Sequence, residues 1–287
     1  YHLPKILSNY FEKKRFCNKM FFRENFMRIE KRIIVITGAS SGLGKGLKEI
    51  FEKKGDVVVD VSLSGRDYQC DVSDYKKLKA VFEDIYKNYG EIDMLITCAG
   101  YGVSGAIELL KEEASKKQFD VNFFGTANAC KYAIPMMKRK GKIIVVASAT
   151  AIFPLPFKAY YCASKAAVDS FAQSLRMELS QTKIQVTSIC PGDVKTKFTE
   201  NRDKNYETNE RYGKSVELST KPTEKTENRR MSPEYAVKKM YKICEKKKLK
   251  PRYIVGKEYK FFNFCKKIFT LNFIDKIVTK MFYKKEK

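Results

Sequence analysis

Short apolar runs alternate along this chain with longer stretches in which apolar residues recur every three or four positions. The runs lie at 33–36, 57–61, 93–97, 143–147 and 184–189, and they predict strands. The first, Ile33-Ile34-Val35-Ile36, is four consecutive β-branched residues between Arg32 and Thr37, as expected of a parallel strand buried on both faces. Behind it Leu43, Leu47, Ile50 and Phe51 keep helical spacing until Gly55. Similar periodicity predicts helices near 43–54, 75–89, 111–139, 159–180 and 233–247. Strand alternating with helix means an α/β fold, a doubly wound parallel sheet with helices on both faces. At 287 residues it suits a single domain, and no internal repeat is present.

Two motifs add chemistry to this frame. Thr37-Gly38-Ala39-Ser40-Ser41-Gly42-Leu43-Gly44 joins the first strand to the first helix. Glycines there let the backbone turn sharply, and a helix N-terminus meets the charge of a dinucleotide pyrophosphate. Their spacing, G-x-x-x-G-x-G, is not the common G-x-G-x-x-G fingerprint. The second motif is Tyr160-Tyr161-Cys162-Ala163-Ser164-Lys165. Tyr161 and Lys165 share a helix face, so an ammonium stands beside a phenol and favours the phenolate. Such a phenol can protonate a carbonyl oxygen or take an alcohol proton. Alone, a Y-x-x-x-K pair is usually a solvated helix face. Ser148, just past the strand at 143–147, falls at a carboxyl strand end where such sheets present ligands. Asn122 lies in a helical pattern that asparagine does not favour; it either anchors a water leading to Lys165 or bends its helix.

With Asp71-Val72, Cys98-Ala99-Gly100 and Pro191-Gly192 in the same order, the chain resembles the short-chain dehydrogenase/reductase family over roughly residues 30–260. The resemblance implies a Rossmann-type fold and an NAD(P)-dependent oxidoreductase interconverting a ketone and a secondary alcohol. It makes Tyr161 the acid/base, with Lys165 binding the nicotinamide ribose, Ser148 positioning the carbonyl and Asn122 completing a proton relay. The cofactor would lie along Gly38, Ser40, Ser41, Gly42, Leu43 and Gly44, with Asp71 and Val72 at the adenine. Ala99, Gly100, Pro191, Gly192 and Val194 would line it further on, and Thr196 would hold the carboxamide end. Thr97-Cys98 stands where the family usually carries two asparagines, which should loosen a structural hydrogen bond between strands. The family's cofactor-discriminating position falls on uncharged Ser62; with Arg66 nearby this favours NADP(H), arginine suiting a 2′-phosphate. Asp60, two residues earlier, keeps NAD(H) open. Segments 99–102 and 251–256 look most similar to members handling hydrophobic alcohols such as steroids or retinoids. The family also implies a homodimer or homotetramer paired through the helices near 111–139 and 159–180. The competing class is a non-catalytic, cofactor-sensing binding protein, against which the full Asn122, Ser148, Tyr161, Lys165 set argues.

Charge and composition change the picture at the ends. The formal net charge is +24, and residues 237–287 carry 17 Lys and Arg against 4 Asp and Glu. Such a field attracts anions, although lysine-biased composition on solvated surfaces is its simplest source. No nucleic-acid motif accompanies it. The only histidine, His2, excludes a histidine triad or histidine-rich metal site, and no metal site is expected. Eight cysteines without C-x-x-C spacing suggest free thiols in a reducing compartment. No apolar run approaches the roughly 18–20 residues of a membrane span, so a cytoplasmic protein is expected. Residues 1–26 form an N-terminal extension mixing phenylalanines with basic residues, before a catalytic domain at 27–260. Polar residues 197–231 are expected to close over the substrate as a lid. In the tail, 261–287, apolar residues at helical intervals alternate with lysines. This amphipathic pattern suits docking over the cleft or on a second subunit, or peripheral contact with an anionic membrane.

Overall fold

Alternate residues of the first strand, β1 (Ile33–Thr37), enter different cores: Val35 packs on one face of the sheet, Ile34 and Ile36 on the other. A strand with two buried faces needs apolar residues at every position, which is why its sequence runs without alternation. The computed structural model describes residues 31–196, 203–205, 207–220 and 230–282. The N-terminal extension lies outside the described residues, as do 197–202, 206 and 221–229 of the expected lid.

The strands β2 (Val57–Ser62), β3 (Tyr68–Gln69), β4 (Ile92–Thr97), β6 (Met137–Val146), β7 (Gln185–Pro191) and β9 (Arg252–Val255) join β1 in one seven-stranded parallel sheet. Its order is β3-β2-β1-β4-β6-β7-β9. On one face lie α1 (Gly42–Lys53) and α7 (Pro233–Cys244), which bury Leu47, Phe51, Val237 and Met240. On the other lie α2 (Tyr75–Tyr89), α4 (Gly125–Ala133) and α5 (Ala159–Glu178), with Phe82, Ile85, Ala129 and Val168 in the core. Each fully buried side chain of this size contributes about 1.5–3 kcal/mol. Start signals are local: Asp74 accepts from the Lys76 and Lys77 N–H groups, and Ser232 accepts from Tyr235 N with Pro233 at the first turn. The order reverses between β1 and β4, which places the topological switch point, and hence the ligand crevice, at their carboxyl ends.

Four differences from the sequence reading concern the bounds and number of elements. The helical stretch near 111–139 is α3 (Glu112–Phe119), a π-helical segment Asp120–Phe124 and α4, which gives way to a 3-10 turn at Ile134–Met136. Pro135 ends the helix by lacking a donor and crowding the preceding turn. Its chain then enters β6 at Met137, six residues before the apolar run at 143; the polar first half pairs only at its outset, through Ile92 and Met137. Arg252–Val255 becomes the edge strand β9. Part of the 197–231 segment is tied down: β8 (Asp203–Lys204) pairs with β5 (Val103–Ser104), and α6 (Ser215–Thr220) buries Val216 beside Ala106 and Phe157.

Candidate active site

Glycine turn and catalytic helix meet at the switch point. Gly38 follows β1 with φ +74, and a Cβ there would lie 2.7 Å from the Ala99 backbone after β4. A Cβ on Gly44 would overlap the Gly38 carbonyl. The turn therefore closes only with glycine at both positions, and it leaves a cradle at the head of α1. Ser41 caps this helix in extended conformation with no side-chain cap bond, and Gly42 has φ +55. First-turn N–H groups of a helix favour an anion, so the cradle fits a dinucleotide pyrophosphate. Thr196 Cβ comes within 3.9 Å of where a Gly42 Cβ would be, which brings the far end of the expected cofactor path onto the same turn.

Around this cradle the other cofactor residues take the ends of neighbouring strands. Ala99 N bonds Thr37 Oγ1 at 3.4 Å, and Gly100 follows it. Thr97 Oγ1 is buried and makes no hydrogen bond. Asp71 spends one carboxylate oxygen on Ser73 N and Oγ, and Val72 packs under Gly125. Pro191 ends β7; Val194 is buried and bridges to Met231. Gly192 admits the ring of Tyr259, whose hydroxyl accepts from Asp193 N at 3.1 Å; a Cβ at 192 would overlap that ring. Ser62, the last residue of β2, donates to the buried Asp60 carboxylate, which also takes the Arg66 N–H at 3.5 Å. Asp60 is thus engaged within its own turn. The exposed Arg66 guanidinium reaches Asp67 at 3.0 Å and Glu52 at 3.4 Å.

On α5, Tyr161 and Lys165 stand one turn apart and are both buried, 8% and 5% exposed. Lys165 Nζ donates to Val146 O at 3.0 Å, pinning the ammonium to the end of β6. Burial lowers its pKa to about 8; the Cys98 and Cys190 thiols beside it oppose that shift. Those thiols are themselves pushed up to about 12 by burial. Ser148 sits just past β6, and its Oγ accepts from Thr150 N at 3.1 Å and Thr150 Oγ1 at 2.9 Å. With both acceptor sites taken, the hydroxyl retains its proton to donate. Asn122 is fully buried inside the π-helical segment. Its Oδ1 accepts from Tyr101 N at 2.8 Å, while Nδ2 donates to Tyr101 O at 2.9 Å and Ser164 Oγ at 3.0 Å. Ser164 Oγ in turn donates to Tyr161 O. Asn122 therefore stands in a π-helical segment, and its amide clamps the loop after β4 to the catalytic helix. Thr150, Ser164 and Tyr101 carry this scaffold without having been singled out in the sequence. Ser164 stood inside the Tyr161–Lys165 motif, but no local spacing marks the other two.

A parallel doubly wound sheet with a pyrophosphate cradle and a buried Tyr–Lys pair at its switch point defines a nicotinamide-dinucleotide oxidoreductase. The short chain dehydrogenase family model matches residues 32–207, and the chain belongs to that family, whose members act on CH–OH and keto groups with NAD(P). It is 36% identical over 216 residues to a 3-ketodihydrosphingosine reductase of Bacteroides thetaiotaomicron, covering 71% of this chain and 80% of that protein. It is 33% identical over 209 residues to an 11-beta-hydroxysteroid dehydrogenase-like 2 of Arabidopsis thaliana, covering 66% and 67%. A short chain dehydrogenase of Burkholderia cenocepacia in complex with NADP superposes with TM-score 0.68 at 22% identity, over 90% of this chain and 100% of that one. At that identity the likeness concerns the fold.

Proposed function

We infer that this protein reduces the ketone of a hydrophobic, long-chain or polycyclic substrate with NADPH. The observation carrying this reading is the buried quartet itself: Tyr161 and Lys165 on α5, with Ser148 and Asn122 fastened around them. Bound at the glycine turn, the dinucleotide supplies the hydride that reduces the carbonyl carbon. Ser148 donates its remaining proton as a hydrogen bond to the carbonyl oxygen and so fixes its direction. Tyr161 gives that oxygen its proton, and the Lys165 ammonium stabilises the phenolate left behind. Lys165 also holds the ribose, and Asn122, through its clamp on Tyr101, keeps the relay open toward solvent. Replacing Tyr161 by Phe should cost about 10²–10⁴-fold in turnover, with dinucleotide binding retained. Unchanged turnover would remove Tyr161 from the mechanism, whereas tight dinucleotide binding by the wild type with no turnover of any ketone would favour a cofactor-sensing role.

NADPH is favoured because the buried Asp60 is occupied within its own turn, while Arg66, just past β2, is held only by exposed ion pairs with Asp67 and Glu52 that a 2′-phosphate can replace. Arg66→Ala should raise KM for NADPH about tenfold, the worth of a hydrogen bond to a charged group, and leave KM for NADH unmoved. The substrate class draws on the 3-ketodihydrosphingosine reductase and hydroxysteroid dehydrogenase-like relatives. Following NADPH absorbance with 3-ketodihydrosphingosine against ketosteroids separates the two; turnover only of short polar ketones would refute both. Pairing through α4 and α5 and work in a reducing, cytoplasmic setting belong to the same reading. None of the seven described cysteines is in a disulfide, which is in keeping with a reducing setting.

A further inference from the structure

The two helices that follow β9 present an apolar face to solvent. These are α8 (Lys257–Ile268) and α9 (Leu271–Phe282). On α8 the inner side is fastened to the rim of the active site. Tyr259 fills the space at Gly192, Phe262 stacks edge-on against Phe153 at 6.2 Å, and Lys266 Nζ donates to Ile152 O at 2.6 Å. Phe153 and Ile152 follow Ser148 by a few residues, so the helix borders the site. Its outer side carries Phe261, Phe264 and Ile268, which share a face at i, i+3 and i+7 and are 63%, 60% and 61% exposed. Phe269, Leu271, Phe273 and Ile277 continue the exposed apolar surface across the turn into α9. Lys257, Lys260, Lys267, Lys276 and Lys280 are exposed around it, against Glu258 and Asp275. Among the described residues no helix is long and apolar enough to cross a membrane.

We propose that this α8–α9 face docks on an anionic phospholipid bilayer and sets the mouth of the active site at the lipid surface. Charge complementarity selects that partner: exposed lysines on the same two helices as an exposed aromatic patch, on a chain of net charge +24, match a surface that is negative outside and apolar beneath. Each phenylalanine that enters the interface contributes up to about 1.5–3 kcal/mol, and each lysine near anionic headgroups about 1 kcal/mol. Partial insertion of three aromatic or aliphatic side chains with several lysines is enough for reversible binding without a spanning helix. The docking stands on this surface alone. Its use, drawing a lipid-dissolved ketone directly into the site, rests on the reductase reading above.

The test is sedimentation of the full chain with vesicles of phosphatidylcholine, with and without phosphatidylserine. Wild type should pellet with the phosphatidylserine vesicles at low salt and be released as salt screens the lysines. A Phe261→Ser, Phe264→Ser, Ile268→Ser variant should lose at least about tenfold in partitioning. Because all three side chains are exposed, its circular dichroism and melting temperature should match wild type. Lys257→Glu with Lys260→Glu and Lys267→Glu should abolish the preference for the anionic vesicles. Wild type that stays in the supernatant at low salt overturns the proposal, as does a serine variant that binds like wild type. If wild type ignores vesicles and the serine variant instead splits an oligomer, the face belongs to a second copy. Turnover of a detergent-dispersed ketone, read in parallel, keeps the two ideas apart: lost vesicle binding with turnover intact concerns docking, and absent turnover with intact binding concerns the reductase.

Discussion

Lys165 is where burial and function pull against each other most directly. Desolvation disfavours its charged form, lowering the pKa to about 8, yet the proposed chemistry needs the ammonium to stabilise the Tyr161 phenolate. Below pH 8 the charge is present; above it the charge is progressively lost, and Tyr161 becomes a poorer acid. The kcat/KM for ketone reduction should therefore fall as pH rises through about 8, and the descending limb should vanish in Lys165→Arg if that variant retains activity. A profile flat to pH 10 would show that Lys165 keeps its proton by other means. Asn122 carries the second residue-scale expectation. It is fully buried and satisfies both polar groups of Tyr101. Asn122→Ala strands those groups, at about 1–3 kcal/mol, and should loosen residues 101–104 in hydrogen exchange while leaving β1 protected. The sequence offered water anchor and helix bend as alternatives for this residue; the structure places it in a π-helical segment, and the clamp on Tyr101 was invisible because no local spacing links residues 21 apart.

Between elements, the strongest polar tie joins α5 to β7 and β9. Asp169, one turn beyond Lys165 on α5, is buried and receives a two-pronged contact from Arg252 of β9, the Nε arm at 2.9 Å. Ser188 of β7 donates to the same carboxylate. Arg252→Met removes a partner of the buried Asp169 carboxylate and, because the Arg252 side chain is itself about a third exposed, should cost about 1–3 kcal/mol in urea-unfolding stability. Converting the partner as well, in Asp169→Leu with Arg252→Met, should recover most of that loss. The tie also explains why β9 was missed: Arg252–Val255 is a short edge strand whose arginine sits there for Asp169, so it lacks the apolar run that announced the interior strands. The five interior strands and the motif-bearing helices were legible because burial on two faces and cap chemistry leave marks within a few residues. Helix α4 ended early at Pro135, whose effect was masked by continuing apolar periodicity. The two-residue strands β3, β5 and β8 are too short to show a period, and β5 and β8 are also far apart in sequence, so they left no comparable mark.

At the scale of the molecule, α4 and α5 support the sheet while leaving part of their outer surface apolar. Phe123 packs edge-on against Phe171 of α5 at 6.1 Å and against Phe124 at 5.1 Å. Phe124 remains 52% exposed at the start of α4, and Met177 near the end of α5 is 68% exposed. Scattered exposed apolar residues need no explanation, but an aromatic cluster on the helices where the family resemblance implies pairing is a reason to expect pairing there. Phe124→Asp would place a charge in the middle of such an interface, where it is desolvated without a partner, at a cost of several kcal/mol to association. On a free monomer the same change falls on a half-exposed side chain and should shift unfolding stability by no more than about 0.5 kcal/mol. Light scattering after gel filtration therefore separates the two cases: a dimer or tetramer that becomes monomeric in Phe124→Asp, with its melting curve nearly unchanged at low protein concentration, locates the interface on α4 and α5. An assembly that survives the substitution lies elsewhere. Since α5 also carries Tyr161 and Lys165, a monomer formed in this way should also show a raised KM if pairing helps hold that helix in place.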